Sequence, residues 1–407
     1  MKKISLLISI SILSITSLKA QWTQVNSGIS DLTQGAVTLA PSDTYLFSGA
    51  NAKMYRSNTD GNSWTEIQPP IPLNVPVCGY FYNGIYFAGM NASTSCIYYS
   101  SDNGSNWNST NGAPTASVVR GFIHLSSNLF AYTSNLGVYK STDGGLIWNP
   151  SNTGLTNLNI IDMETINNKL IATTIGGGVF ISSDNGNNWI QSNTGIGSGE
   201  LNGTLTWRMG TNLYYIEQGG ASYISANEGL NWTTWTKPQM MGLNPLEVHR
   251  KGNNIYVKSR HLDMTVFQLK DSIYLSQNEG ISWDNITSDL PSNLNGSGLF
   301  EFNNFVYIAF NNISPGLGIY RNGINSTAIE KNLNTQKTLL YPNPFHHQLN
   351  LNNQVAKIRI YNILGKEILY LTNPSKSINT TFLDNGTYIL EIELSNKSKH
   401  LQKFIKN

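Results

Sequence analysis

The chain is poor in cysteine and in charge. Among its 407 residues are two cysteines, and 12% are Asp, Glu, Lys or Arg, about half the roughly 25% usual in a globular domain. Cys78 and Cys96 are too few for a disulfide framework or a cysteine-rich metal module. No Ser/His/Asp signature, zinc motif or phosphate loop is present, so no metal and no cofactor is expected. After residue 20 no run approaches the roughly 20 apolar residues of a membrane-spanning helix. Helical periodicity is missing as well: short apolar runs alternate with Asn/Gly turns, which reads as all-β.

What the chain does have is 36 glycines and 9 tryptophans. Six of the tryptophans end copies of one loop, S-x-D-x-G-x-x-W or a close variant. The copies run from Ser57 to Trp64, Ser100 to Trp107, Ser141 to Trp148, Ser182 to Trp189, Ser225 to Trp232 and Ser276 to Trp283. Periods of roughly 40 to 50 residues filled with short strands mark the blades of a β-propeller. Each unit reads as four antiparallel strands, with the loop as the turn between strands three and four. In three of these loops Gly104, Gly145 and Gly186 supply positive φ, Asp102, Asp143 and Asp184 accept backbone amides, and Trp107, Trp148 and Trp189 return to the sheet. Thr59, Asn227 and Asn278 stand at the aspartate position of the other copies. A negative charge is therefore dispensable there, and the loops are read as structural.

These loops resemble the Asp-box of bacterial sialidases, sortilin-type receptors, xyloglucan-degrading glycosidases and photosystem II assembly propellers. The resemblance implies a propeller whose boxes lie away from the binding face. Gln21 to Ser30 matches the segments just after the boxes at Trp148 and Trp189, and Gly298 to Asn322 supplies three strands without a box. The N-terminal strand is thus expected to complete the last blade of seven.

Met1 to Ala20, with Lys2, Lys3 and an apolar core, reads as a secretory signal. Residues 21–330 form the expected propeller. From 331 to 407 the period is gone, and strands are expected at Lys357 to Tyr361, Glu367 to Leu371, Thr387 to Leu394 and Leu401 to Ile405. This segment resembles the type A C-terminal sorting domain of the type IX secretion system of Bacteroidetes. The match rests on Pro342, Asn343 and Pro344, then Tyr361, Asn362 and Gly365, then Gly386 and Tyr388, and the basic finish at Lys406. It implies a small immunoglobulin-like sandwich, export through the periplasm to the outer-membrane surface or medium, and the type IX machinery as partner. Charge follows the division: residues 21–330 hold 13 basic against 20 acidic residues, and 331–407 hold 10 against 4. An acidic propeller is a poor partner for nucleic acid.

Function is sought in what the repeats do not share. The step from Trp232 to Trp283 is long and suggests an enlarged loop at Lys258 to Ser272, with Arg260, His261, Asp263, Lys270 and Asp271. Asp271-Ser272-Ile273 within it resembles a Bacteroidetes O-glycosylation site. Trp207 and Trp235 lie outside the boxes and would either stack on sugars or pack between blades. Arg120, Asp162, Glu164, Arg208, His249 and Arg250 fall on expected innermost strands, where some line the channel. Arg260, His261, Asp263, Trp207, Arg208, Arg250 and Arg120 are the candidate ligand residues, with no catalytic group assigned. The expected function is non-enzymatic binding of a polysaccharide, glycoprotein or protein; a sialidase-like glycoside hydrolase is the alternative, although the sialidase-type arginine before the first box is missing. Arg56, Lys140 and Arg321 recur at equivalent repeat positions and read as structural. His346-His347 reads as a loop. Cys78, opposite Gly89, and Cys96, on the third strand of the same blade, are one strand apart and expected as free thiols.

Overall fold

The computed structural model describes residues 22–323 and 340–406, apart from short segments at 34, 238–243, 264–267, 291–295, 311–316, 342–346, 352–354, 363–366, 373 and 395–398. The expected signal and residues Pro342, Asn343, Pro344, His346 and Gly365 lie outside the described residues, as do the side chains of His261, Asp263 and Lys270. Every named element is a strand. The chain divides into two compact units, 1–323 and 324–407.

Among the described residues the first unit holds seven antiparallel sheets, numbered I to VII in chain order. Sheet IV is representative: Ile160–Ile166, Lys169–Thr174, Gly178–Ser182 and Ile190–Gln191 pair in sequence order. Sheet III carries a fifth strand, Asn91–Ser95, which pairs with the start of Thr115–Leu125. Sheet VII is assembled from both ends of the unit. Its fourth strand is Thr23–Gln24, paired with Arg321 and Tyr320 of Gly318–Gly323. The first strands of successive sheets touch one another, and that of sheet VII touches that of sheet I. Val25, Ala36, Tyr55 and Trp64 share one apolar cluster with Phe300, Tyr307 and Ile319, so the first and last sheets bury a common core.

The six boxes share three hydrogen bonds, seen at Ser182. Ser182 Oγ donates to Asp184 Oδ1 at 2.9 Å and accepts the Gly186 amide at 2.8 Å, while Asp184 Oδ1 accepts the Asn188 amide at 2.9 Å. At Ser225 the amide oxygen of Asn227 does the same work at 2.9 Å from the serine and 3.0 Å from the Asn231 amide. A neutral oxygen suffices because the partners are neutral donors.

The tryptophan that ends the box clasps the preceding sheet. Trp189 Nε1 donates to Ser151 O at 2.8 Å and Trp232 Nε1 to Ser192 O at 2.9 Å, each just beyond the last strand of the sheet before. Trp107 reaches Gln68 O and Trp64 reaches Val25 O in the same way, whereas Trp148 and Trp283 bond the glycine carbonyl of their own box. Trp22 donates to Ile286 O, carrying the pattern from sheet VI to sheet VII. The main chain joins in: the Trp232 amide donates to Thr194 O at 2.8 Å. The next residue, Gly195, has φ of 94°, and a Cβ there would lie 1.8 Å from Trp232 O. Only glycine fits this approach.

The repeated cations reach the next box. Arg56 donates to Ser105 Oγ at 2.9 Å, Lys140 to Asn185 O at 2.7 Å and Arg321 to Asn62 Oδ1 at 2.7 Å.

Three local expectations are corrected. The segment from Lys258 to Ser272 is largely a ladder: Asn254–Asp263 pairs with Gln268–Ser276 from Ile255↔Ser276 to Asp263↔Gln268. Arg260 ties the two strands together through Asp271. Asp271, Ser272 and Ile273 are buried on the inner part of that ladder, which leaves no exposed acceptor hydroxyl for the O-glycosylation motif. Cys96 lies just before the third strand, Ile97–Ser100, because the chain first detours into Asn91–Ser95. Both thiols are free; Cys78 pairs opposite Gly89, and burial pushes its thiol up to about 12.

The second unit has two sheets, Leu340–Tyr341 with Gln348–Leu351 and Ser377–Asn379, and Glu367–Thr372 with Val355–Asn362, Gly386–Leu394 and Lys399–Lys406. Leu349 and Ile378 of the first sheet and Ile358, Ile360, Leu390 and Ile392 of the second form its core. Tyr388 and Lys406 are buried here. His347 is an exposed loop residue whose carbonyl accepts the Thr380 amide.

Two outcomes are expected for stability and reactivity. Gly195→Ala should cost about 1–3 kcal/mol from strain at positive φ, and Asp184→Asn should stay within about 0.5 kcal/mol; equal losses in urea unfolding would contradict a charge-independent box. A thiol reagent should find no reactive thiol in the native protein and both after unfolding without reductant. A denatured count of zero would mean that the cysteines are bonded.

Candidate functional site

A cavity of about 970 Å³ opens along the first strands of four successive sheets: Thr115–Leu125, Ile160–Ile166, Gly203–Met209 and Asn244–Lys251. Alternate residues of a strand share a face, so Arg120 and Phe122, Asp162 and Glu164, and His249 with Glu247 enter it as pairs. Arg208 and Arg250 complete the charged lining.

Most of these polar groups are bonded to the neighbouring sheet. Arg120 donates to Asn159 Oδ1 and to Ile160 O, both at 2.9 Å. Asp162 Oδ2 accepts the Thr206 amide at 2.9 Å. His249 Nε2 accepts the Glu301 amide at 3.0 Å and Glu247 Oε1 the Leu299 amide at 2.5 Å. Glu247 also pairs with Lys258 at 3.2 Å, and Arg250 with Glu279 at 2.6 Å. Arg208 Nε and Trp207 Nε1 stand apart: both are buried and have no hydrogen-bond partner among the described residues, and of the two only Arg208 carries a charge.

Enclosure sets the protonation of the lining. Burial pushes the Asp162 carboxyl up to about 7, with the nearby Glu164 charge adding to it and the Thr206 and Met163 amides opposing. Burial also raises Glu164, against the Thr165 amide and the Arg208 charge. His249 falls to about 4 through burial and the Lys251 charge, so it stays neutral and works as an acceptor. Tyr132 reaches the cavity from the second strand of sheet III, and burial beside Asp162 holds its hydroxyl well above the ordinary phenol range.

Of the seven candidate residues, the structure brings Arg120, Trp207, Arg208 and Arg250 together in this cavity. Trp207 is 2% exposed; its ring stacks on Tyr214 at 5.2 Å and meets Trp235 edge-on at 5.8 Å. It packs rather than offering a face to a sugar, which corrects its place among the ligand residues. Arg260 does not join the cavity lining: its guanidinium is held by Asp271 at 2.7 and 3.0 Å on the hairpin of sheet VI. His261 and Asp263 continue that strand. Tyr132 and Glu247 were not among the candidates. Glu247 shares the alternation of His249, and Tyr132 crosses over Gly121, its cross-strand partner, where a Cβ would lie 2.2 Å from its hydroxyl. A side-chain-free residue opposite a tyrosine was the available signal.

Residues 339–407 match the family of secretion system C-terminal sorting domains, and residues 79–202 match the DUF6242 beta propeller domain. No curated protein matches the chain. Among solved structures, YCF48 bound to D1 peptide is similar at 15% identity and a TM-score of 0.55, over 76% of this chain and 97% of that one. YCF48 from Cyanidioschyzon merolae gives 13% and 0.53, over 75% and 98%. The extracellular domain of BT3049 from B. thetaiotaomicron gives 13% and 0.55, over 95% of this chain and 57% of that one. These likenesses concern the fold. A sorting domain of this kind marks a protein for secretion or the cell surface. The chain is a β-propeller protein with a secretion system C-terminal sorting domain.

Proposed function

We propose that this protein is an exported, non-enzymatic binding module. Its sheets I to VII act as the seven blades of one ring, closed by the strand at Thr23–Gln24, and the second unit is an immunoglobulin-like sandwich read by the type IX machinery. Residues 1–20 direct the chain to the periplasm, and the sorting domain takes it across the outer membrane. The ligand, a polysaccharide, glycoprotein or surface protein, enters the cavity between sheets III and VI. A protein of similar fold has been solved with a peptide bound, which supports a binding role.

The observation that carries this reading is how the cavity's charges are used. Three arginines and a tyrosine beside two carboxyls favour the hydrolase alternative at first sight. However, Arg120 is anchored through Nη1 to Asn159 and Ile160 and Arg250 is paired with Glu279, so the three are not a free clamp. A nucleophilic tyrosine needs a lowered pKa or an adjacent base; Tyr132 has the Asp162 carboxyl beside it, but burial raises both groups, which keeps the hydroxyl protonated and the carboxyl a poor neighbour for taking its proton. The site is built to hold rather than to react.

Incubating the purified mature protein with glycan and peptide arrays should give binding without released sugar; release of sugar would overturn the reading. Ring closure has its own test. Trp22 is 4% exposed and bonds sheet VI, so Trp22→Ala should cost about 3–5 kcal/mol. An unchanged unfolding midpoint would sink the closure by the N-terminal strand.

A further inference from the structure

In the cavity, the bonds leave charge over. Arg250 and Glu247 have ionic partners outside it, Glu279 and Lys258. His249 is neutral and accepts an amide. Arg120 is satisfied by two neutral acceptors, Asn159 Oδ1 and Ile160 O, which leave its charge in place. Arg208 has a buried Nε without a partner among the described residues. That nitrogen is closed off, but the guanidinium it belongs to lines the cavity on a half-buried side chain with no side-chain hydrogen bond or ion pair among the described residues, so its outer nitrogens are left to a ligand oxygen. Asp162 and Glu164 line the same cavity from the first strand of sheet IV, Glu164 within reach of the Arg208 and Arg250 charges and Asp162 bonded by Tyr132.

Beside the charges lie aromatic rings. Phe122 lines the cavity next to Arg120 but is buried, its ring packed against Phe87, Trp148 and Tyr80. The rings that keep some exposure are Tyr80, Tyr82 and the exposed His124, outside the cavity lining, with Tyr80 bonded to His124 at 2.5 Å. Partly exposed rings alongside the strand of Arg120 suit a sugar that bears an oxyanion better than a flexible acidic peptide.

Resting on the binding role above, we propose that the cavity holds a carboxylate or sulfate of an acidic glycan at Arg208, and that binding takes up a proton on the Asp162–Glu164 pair. With the pair ionised, its two negative charges cancel the two free cations. Protonation removes that competition, and Asp162, poised at about 7, is the group that titrates near neutrality. No bond is made or broken beyond this proton, which comes from solvent. The sign follows from linkage: a bound anion favours the protonated pair, so affinity is highest below about 7 and falls as pH rises through it, by up to tenfold per unit for one proton.

The test is calorimetry of the mature full-length chain with an oligogalacturonate and with a sulfated oligosaccharide, at pH 6 and pH 8 and in two buffers of different ionisation heat. Tighter binding at pH 6 than at pH 8 is expected for at least one of them, with little proton uptake at pH 6, where Asp162 is already largely protonated, and up to about one proton taken up at pH 8. The two arms distinguish carboxylate from sulfate. Arg208→Gln should weaken binding about 10- to 100-fold, while Asp162→Asn should flatten the pH dependence without loss of affinity at pH 6. Arg56→Gln, on the box side, should change neither. Binding of neutral glycans with no pH dependence would leave the binding role standing and overturn this inference. Uptake of acidic peptides in place of both saccharides would overturn the choice of ligand, and no binding to any probe would tell against both readings.

Discussion

The first unit depends on the clasp by which one sheet's box grips the sheet before it. A four-stranded sheet of short strands cannot bury both faces alone, and its outermost strand here has only two or three residues. Such a strand is held because the next tryptophan fills the space beside it, and in four boxes its indole also bonds a carbonyl just past that strand. The amide of the same tryptophan takes a second carbonyl nearby, and this brings the backbones so close that the residue after it must be Gly154 or Gly195. The recurring Asn-Thr-Gly after the boxes is therefore the receiving half of the clasp. Serine, acid or amide, and glycine within the box only shape the turn that delivers the indole.

The same economy governs the interior. First strands crowd round a cavity where their edge amides need acceptors, and each unpaired group would cost free energy. Asp162, Glu247 and His249 answer that need by accepting amides of the next first strand, and Arg120 answers it from the donor side. Charged residues along this wall are thus largely mortar between sheets. That is why their mere presence says little about a ligand, and why Arg208, whose side chain has no such bond among the described residues, says more.

Much of the fold was legible because it repeats. Six boxes gave the register of sheets I to VI, and Asn83-Gly84 as the tight turn placed Cys78 opposite Gly89 in the first hairpin of sheet II, where both turn residues have positive φ. The strands of the sorting domain were legible from their apolar alternation, and its identity from motif order. Departures from the repeat were harder. The long step before Trp283 looked like a loop because no turn signal fixed its register; in the structure cross-strand pairs such as Arg260 with Asp271 hold it as a ladder. The cavity residues were found by placing charges on first strands. Their partners were not, since an amide donor 44 or 52 residues away, as between Asp162 and Thr206 or His249 and Glu301, leaves no trace in local sequence.

These constraints also separate what can vary from what cannot. A change in the box carboxylate is tolerated, as Asn227 and Asn278 demonstrate, because the partner is an amide and not a charge. A change at Asp162 is of a different kind. Its oxygen holds the Thr206 amide whether or not the group is ionised, so asparagine can keep the sheet contact while losing the proton. Structure and charge are thereby separable at this one position: the hydrogen bond belongs to the ring, and the titration is left free to answer to whatever enters the cavity.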